Sequence, residues 1–310
     1  MKTFLLISLG LLMVMSTYSL YGCKQTSGEP NLVRVSYHSD ATGEDREYFV
    51  YLPAGYDDNN QTDWPVLLFL HGNGERGDAK EELDFVMVHG PLYEAWAQKR
   101  DLPFIIVAPQ LPMYHMGEMD YIANRSFSDI PVRLEEGVPP RPEVVAPAVP
   151  VDGISYPGEM PLPVEGPLNG WYRLEKDIEI ILDQVKDRFR TDQSRVYVTG
   201  ISYGGFGTWY IASQMPERFA AIVPVVGFAH PDLVDPIATY RIPVWCFSAG
   251  RDLVVRPEYF YPAINRLEEL GHKNVILTNH ETEGHDAWVR IYAGEDIYNW
   301  LLKHKKPNRL

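Results

Sequence analysis

Cysteine is almost absent from this chain of 310 residues, which contains only Cys23 and Cys246. Cys23 is predicted below to carry a lipid, which would leave Cys246 without a partner, so no disulfide is expected. Cys246 lies in an apolar run and is predicted to be a small core residue rather than a nucleophile. The nine histidines show no paired ligand spacing such as His-Glu-x-x-His, so no metal site is expected.

Basic residues are outnumbered by acidic ones. The chain has 28 Lys and Arg against 42 Asp and Glu, which gives a net charge of −14 at pH 7. A protein that binds nucleic acid needs clustered Lys and Arg for its phosphate contacts, so this composition argues against such a partner. For a protein outside the cytoplasm, the negative charge is expected to serve solubility.

An apolar run long enough to cross a membrane is also missing. The run over residues 4–15 follows Lys2 and falls short of the roughly 20 residues that a membrane span needs, so residues 1–22 are predicted to be a signal peptide. Its end, Leu20-Tyr21-Gly22-Cys23, resembles a bacterial lipobox, in which the cysteine is lipidated. We therefore expect an extracytoplasmic lipoprotein with an N-terminal lipid anchor, and the alternative is a secreted or periplasmic protein after ordinary signal cleavage.

The rest of the chain alternates between strand-like and helix-like segments. After a linker over residues 23–31, residues 32–310 are predicted to form one domain, since 45% hydrophobic residues supply an ample core. The alternation predicts an α/β fold in which a mostly parallel sheet, with an antiparallel lead-in, carries helices on both faces. Strands are predicted over 32–37 and 47–52 and near Val66, Phe104, Val196, Ala221, Val244 and Val275, and helices over 81–99, 174–189, 204–215, 257–270 and 295–303.

The segment Gly200-Ile201-Ser202-Tyr203-Gly204 places a G-x-S-x-G motif between a predicted strand and a predicted helix. In this context the motif is a nucleophile elbow, a tight turn that lifts a serine hydroxyl out of the sheet edge. The flanking glycines remove side chains that would collide in the turn. Ser202 is therefore the predicted nucleophile.

A serine nucleophile needs a base and an acid, and hydrolases with this elbow carry them in the order Ser, Asp or Glu, His. Asp252 follows the strand near Val244, and His285 follows the strand near Val275, so both are expected at the same sheet edge as Ser202. Asp235 and Asp286 stay open as alternative acids. His272 and His280 are the competing histidines.

Backbone N–H groups are expected to stabilise negative charge on a substrate oxygen. The residue after the nucleophile, Tyr203, supplies one N–H, and the loop after the strand near Val66 supplies the other, which we assign to Asn73 with Gly72 as the neighbour to consider. His71, at the start of that loop, is expected to brace it by hydrogen bonding.

The segments FLHGNGERG, YVTGISYGGFGTW, SAGRDLVV and EGHDAW, in this order, resemble the esterase group of the α/β-hydrolase fold. They are most similar to polyhydroxybutyrate-depolymerase-like and feruloyl-esterase-like proteins, which are often labelled predicted peptidases for their likeness to the prolyl oligopeptidase catalytic domain. The resemblance covers roughly residues 52–302. It implies the α/β-hydrolase fold, with Ser202 as nucleophile, Asp252 as acid and His285 as base, and no cofactor. At Tyr203 the chain departs from the methionine that is usual in this group.

One long segment does not continue the alternation of strands and helices. Residues 111–168 contain eleven prolines, which neither a helix interior nor a central strand tolerates. A loop of this length is usually functional or disordered, and its aromatic content favours an ordered lid over the active site. Four aromatic residues are predicted to contact substrate, with packing as the alternative for each: Tyr114, Trp171, Tyr172 and Trp288.

Together these features predict a serine carboxylic-ester hydrolase that forms an acyl-enzyme. Acetyl or feruloyl-type esters of carbohydrates are the expected substrates. The alternatives are a serine peptidase of the prolyl oligopeptidase type and a non-catalytic carbohydrate-binding lipoprotein. The oligomeric state is left open.

Overall fold

A computed structural model describes residues 28–56, 61–138 and 159–306. The predicted signal peptide, Cys23 and most of the predicted linker lie outside these ranges, as does the middle of the insertion. Within the ranges, no helix is long and apolar enough to cross a membrane.

The described strands are β1 Asn31–His38, β2 Asp45–Leu52, β3 Trp64–Leu70, β4 Ile105–Ala108, β5 Thr191–Ile201, β6 Ala221–Val225, β7 Val244–Ala249 and β8 Val275–His280. All eight predicted strands are therefore present. They form one eight-stranded sheet in the order β1-β2-β4-β3-β5-β6-β7-β8. β2 pairs antiparallel with both β1 and β4, and the remaining pairs are parallel.

Helices cover both faces of the sheet, as the sequence predicts for an α/β-hydrolase fold. The described helices are α1 Gly90–Leu92, α2 Asp120–Ala123, α3 Glu175–Arg188, α4 Tyr203–Gln214, α5 Asp235–Tyr240, α6 Tyr261–Glu269, α7 Trp288–Ala293 and α8 Asp296–Leu301. Alternate residues of β3 belong to opposite cores: Leu68 to the core under α3 to α6, and Leu67 to the core under α1, α7 and α8. This alternation follows from the two-residue period of a strand.

The prediction of one continuous helix over residues 81–99 is wrong. The segment is divided into a 3-10 helix over Leu83–Met87, the short α1, and a single π-helical turn over Tyr93–Ala97. Gly90 causes the break, because its φ of +83° is outside the helical range and a Cβ there would lie 2.2 Å from the Phe69 ring. Sequence reasoning also missed α2, α5 and α7.

The start of α4 packs directly onto the end of β3. A Cβ built on Gly204 would lie only 1.7 Å from the carbonyl oxygen of Leu70. Only glycine allows this approach, which brings the first turn of α4 beside the loop that follows β3. The requirement for glycine at this position is thus set by backbone contact.

We predict that Gly204→Ala lowers the free energy of unfolding by about 3 kcal/mol or more, because the added methyl group must push two backbone segments apart. Denaturant unfolding measures the change. Gly117→Ala is the matched control, since its Cβ would meet its nearest neighbour, Met113, at an ordinary 3.6 Å. Equal stability of the two variants would contradict the packing argument.

Candidate active site

Ser202 occupies the turn between β5 and α4. Its backbone has φ 50° and ψ −115°, an uncommon conformation for a residue with a side chain. The turn is held by a hydrogen bond from the Ser202 N–H to the carbonyl of Val225, at 3.0 Å. The sequence motif and the strained turn therefore coincide at the same serine.

The structure brings Ser202, His285 and Asp252 into one hydrogen-bonded chain. His285 Nε2 lies 3.0 Å from Ser202 Oγ, and His285 Nδ1 lies 2.7 Å from Asp252 Oδ2. A carboxylate can only accept, so Nδ1 carries the proton and Nε2 is left to accept one from the serine. This is the arrangement that activates a serine hydroxyl.

Asp252 is held in place by backbone groups. Its carboxyl is buried, and Oδ1 accepts hydrogen bonds from the N–H groups of Val254 and Val255, both at 2.8 Å. The alternative acid Asp235 pairs instead with Arg266. The competing histidine His272 contacts the carbonyl of Ile242.

Tyr203 and Asn73 both line the cavity that contains Ser202. Tyr203 is the first residue of α4, and Asn73 is the first residue of a 3-10 turn over Asn73–Glu75, so neither N–H has an acceptor within its own helix. The cavity measures about 370 Å³ and is lined by residues 72–75 and 201–203 together with Tyr121, Val254, His285 and Trp288. Both predicted oxyanion residues thus lie beside Ser202.

His71 holds the start of the loop after β3, as expected from its position. It is fully buried, its Nε2 accepts the N–H of Leu111 at 2.9 Å, and its Nδ1 contacts the carbonyl of Gly72 at 2.6 Å. Burial lowers the pKa of His71 to about 3, with the backbone contact to Gly72 opposing the shift. Both ring nitrogens of the neutral imidazole are used in hydrogen bonds that hold the loop. His71 therefore has no free nitrogen that could accept a proton from a substrate.

The Arg76 side chain connects several segments of the site. Its buried guanidinium donates to Asn73 Oδ1 at 2.5 Å and to the carbonyls of Pro112 and Asn169, both at 2.8 Å. Its charge also lies 5.0 Å from the centre of the Tyr203 ring. Burial lowers the pKa of Arg76 to about 10, so the group stays charged at neutral pH. Arg76 therefore contacts both oxyanion residues and also Pro112 and Asn169, which lie at the start of the insertion and directly after its end.

The described part of the insertion packs on the oxyanion loop. Tyr121, in α2, accepts a hydrogen bond from Asn73 Nδ2 at 2.5 Å and lines the cavity. Arg125 donates to the carbonyls of Gly74 and Arg76. The sequence predicts Tyr114 from this insertion as a substrate contact and not Tyr121, because no local signal shows which aromatic residue of the insertion reaches the cavity.

Three of the aromatic residues predicted to contact substrate lie elsewhere. Trp171 is buried under α4 and donates from Nε1 to the carbonyl of His71 at 3.1 Å. Tyr172 packs edge to face on Tyr210, and Tyr114 lies under the Arg173 guanidinium. Of the four, only Trp288 lines the cavity, with its ring 5.1 Å from that of His285.

Glu75 is a cavity residue that sequence reasoning missed. Its side chain is only about 10% exposed, and its carboxyl oxygens lie 3.7 Å from His71 Nδ1 and 3.8 Å from His89 Nε2. Burial raises the pKa of Glu75 to about 7, an effect that backbone N–H groups and Arg125 only partly offset. Its one sequence signal is its place two residues after Asn73 in a glycine-rich loop.

Residues 173–245 match the prolyl oligopeptidase family. This region contains Ser202 and ends before Asp252 and His285. The chain is similar to the acylamino-acid-releasing enzyme of Mus musculus, with 30% identity over 151 residues that span 44% of this chain. It covers only 19% of the length of the mouse enzyme.

Solved structures show the same fold. A thermostable esterase superposes with a TM-score of 0.59 and 24% identity, covering 88% of this chain and 63% of that one. A ferulic acid esterase superposes with a TM-score of 0.52 and 17% identity, and the match covers 88% of this chain and 97% of that esterase. The chain has the α/β-hydrolase fold, and the comparisons support a hydrolase.

Asp252→Asn is expected to slow covalent labelling of Ser202 by a fluorophosphonate by about a hundredfold or more, because the amide no longer holds His285 in the accepting tautomer. Intact-mass spectrometry over time measures the rate. Asp235→Asn, at the exposed alternative acid, should label at the wild-type rate. Equal rates in both variants would remove Asp252 from the site.

Glu75→Gln is expected to change how stability depends on pH. Between the unfolded pKa of 4.5 and the folded value of about 7, the folded protein binds a proton at Glu75 that the unfolded chain releases. The wild type therefore gains stability relative to Glu75→Gln as pH falls from about 8 to about 4.5, by about 3 kcal/mol. Denaturant unfolding across this range measures the difference.

Glu82→Gln is the matched control for this measurement. Glu82 is one-third exposed and lies close to the same loop, where it binds Arg125. The pH-dependent change for Glu75→Gln should exceed that for Glu82→Gln over the same range. If the difference in stability between Glu75→Gln and the wild type does not change with pH, Glu75 is not held in a buried, proton-binding state.

Proposed function

We propose that this protein is a serine carboxylic-ester hydrolase that acts on acetyl or feruloyl-type esters of carbohydrates. The observation that carries the proposal is the continuous chain from Ser202 Oγ through His285 to Asp252, with distances of 3.0 and 2.7 Å. These residues lie at a cavity that Tyr203 and Asn73 also line. Such a constellation suits acyl transfer.

In the proposed reaction, Ser202 Oγ attacks the ester carbonyl while His285 Nε2 takes its proton. Asp252 orients the imidazole and stabilises its charged form. The protonated His285 then donates to the leaving alcohol, which leaves an acyl group on Ser202. Water, deprotonated by His285, releases the acid and restores the serine.

The N–H groups of Tyr203 and Asn73 are proposed to hold the oxyanion. Removing one such donor typically costs about 3 kcal/mol of transition-state stabilisation. Arg76 supports both donors, because it fixes the Asn73 side chain and packs on the Tyr203 ring. The two donors are thus set before substrate arrives.

The walls of the cavity support an ester with an apolar or aromatic part. Trp288, Ile201 and Val254 line it. Val254 is 72% exposed, and Leu253, the residue before it, is 91% exposed. Tyr121 adds an aromatic wall from the insertion, which we propose serves as a lid. The structural likeness to a ferulic acid esterase agrees with this choice.

A serine peptidase is the second candidate, favoured by the match of residues 173–245 to the prolyl oligopeptidase family. A carbohydrate-binding protein without activity is the third. The assembled chain of Ser202, His285 and Asp252 argues against it, because a binding protein has no need of that geometry.

We also propose that the protein lies outside the cytoplasm, with Cys23 as its lipid anchor. Cys23 lies outside the described ranges, so this proposal rests on the sequence alone.

We predict that the full chain hydrolyses an aryl acetate and methyl ferulate, and that Ser202→Ala abolishes both activities while the fold is kept. Ser213→Ala, on the same helix and away from the cavity lining, should retain wild-type rates. Steady-state release of phenol and ferulate measures the result. Ser202-dependent cleavage of a peptide anilide without ester cleavage would favour the peptidase instead.

A further inference from the structure

A second cavity lies beside the one that contains Ser202. It measures about 310 Å³, which is within the size range of small-molecule sites. Its lining comes from residues between 88 and 94, from Asp129 and Pro131 of the insertion, and from α7. Trp288 lines both cavities, and the His89 ring lies 5.5 Å from the Trp288 ring on the side of the second one. A ligand bound at Ser202 can therefore continue along Trp288 into this space.

The second cavity lies on the side of the catalytic histidine. Trp288 directly follows the 3-10 turn that begins at His285, and its ring packs edge to face on the His285 ring at 5.1 Å. Tyr203 and Asn73, the proposed oxyanion residues, line the first cavity and not the second. In acyl transfer the leaving alcohol lies against the imidazole that protonates it. The part of an ester that extends past Trp288 is therefore its alcohol.

Three polar side chains line the second cavity and are accessible to a ligand. Asp129 is exposed, and its Oδ2 accepts the Ser126 N–H at 2.7 Å, which fixes the carboxylate and leaves Oδ1 to accept. The Tyr93 hydroxyl accepts from Gln98 Nε2 at 2.7 Å and keeps its own proton to donate. The His89 side chain is 32% exposed and, as a neutral imidazole, offers one donor and one acceptor.

The charges around the second cavity favour an uncharged ligand. Glu94 is buried and paired with Arg100 at 2.9 Å, so its charge is compensated. Burial lowers the pKa of His89 to about 4, with Asp286 opposing the shift, so this imidazole is neutral near pH 7. A strong cation site would keep such an imidazole protonated, and the carboxylate of Asp129 would repel an anion.

Apolar surface accompanies these polar groups. Pro131 and Trp288 are half-buried, and Val289 is about half exposed. A sugar ring carries C–H groups on its faces and hydroxyl groups around its rim, so it matches a wall that offers both kinds of contact. A simple alkyl alcohol would leave the polar side chains unused.

We propose that the second cavity is a subsite for the alcohol part of the ester, and that it binds a sugar unit through Asp129, Tyr93 and His89. The proposal rests on the ester hydrolase activity proposed above and adds where the sugar is recognised. Asp129 accepts a hydrogen bond from a sugar hydroxyl, and Tyr93 donates one to a sugar oxygen. The insertion then contacts both parts of the substrate, since Tyr121 lines the first cavity and Asp129 the second.

The test compares esters that share an acyl group and differ in the alcohol. With the full chain, we would measure kcat/KM for methyl 5-O-feruloyl-arabinofuranoside against methyl ferulate, and for methyl 6-O-acetyl-glucopyranoside against methyl acetate. The wild type should prefer the sugar ester by about tenfold or more in at least one pair. That ratio should fall by about threefold or more in Asp129→Ala and in Tyr93→Phe. In Val289→Trp, which fills the cavity, it should fall to about one.

The ratio separates recognition from structure. Val132→Trp is the matched control, because Val132 is a largely exposed valine of the insertion that lines neither of the two cavities. Its ratio should equal that of the wild type. A purely structural role of Asp129 and Tyr93 would lower both esters of a pair equally, and the unchanged ratio would overturn the proposal. If Val289→Trp does not fold, unchanged ratios in Asp129→Ala and Tyr93→Phe have the same meaning.

The same measurements test the side of the site. Methyl ferulate and methyl acetate differ only in the acyl group, so the ratio between them should keep its wild-type value in Asp129→Ala and in Val289→Trp. A change of this ratio in place of the sugar-to-methyl ratio would put the second cavity on the acyl side and overturn the proposal.

Two further outcomes are distinguishable from these. A preference for feruloylcholine over the feruloyl sugar that is lost in Asp129→Ala would overturn the proposal in favour of a site for a cationic alcohol. No Ser202-dependent turnover of any ester would refute the hydrolase itself. Ser202-dependent turnover without a preference for either sugar ester would refute only the role of the second cavity.

Discussion

The buried guanidinium of Arg76 is the interaction on which the site depends. A charge removed from water must be compensated, and here carbonyl and amide oxygens from Asn73, Pro112 and Asn169 surround it in place of a carboxylate. These acceptors come from the oxyanion loop and from both sides of the insertion, and the Tyr203 ring supplies the remaining face. Because one planar group must satisfy all of them, the loop after β3, the start of α4 and the insertion are fixed relative to one another.

The parallel sheet supplies the other constraint. β3, β5, β7 and β8 all end at the same edge, so the loops that follow them converge although the loops are far apart in sequence. Backbone contact between Gly204 and Leu70 then brings α4 against the oxyanion loop. The strained backbone at Ser202 is maintained by these contacts, which keeps the hydroxyl 3.0 Å from His285.

The elements that sequence reasoning found are those whose signal is local. All eight strands and the order of Ser202, Asp252 and His285 follow from apolar runs and from what comes directly after each run. The misses depend on contacts between distant segments. Trp171 is buried because Gly207 leaves room for its indole, Gly90 breaks a helical pattern because Phe69 occupies the space beside it, and Glu75 lies in the cavity wall although the sequence shows only an acid in a loop.

The central claim is that Ser202 forms a covalent acyl intermediate with an ester. Its most direct test is rapid acid quenching of the protein during turnover of an aryl acetate, followed by intact-mass and peptide mass spectrometry. We expect a mass increase of one acetyl group on the peptide that contains Ser202, in the wild type and not in Ser202→Ala. Turnover without acetylation of any residue, or with acetyl on another residue, would contradict the account.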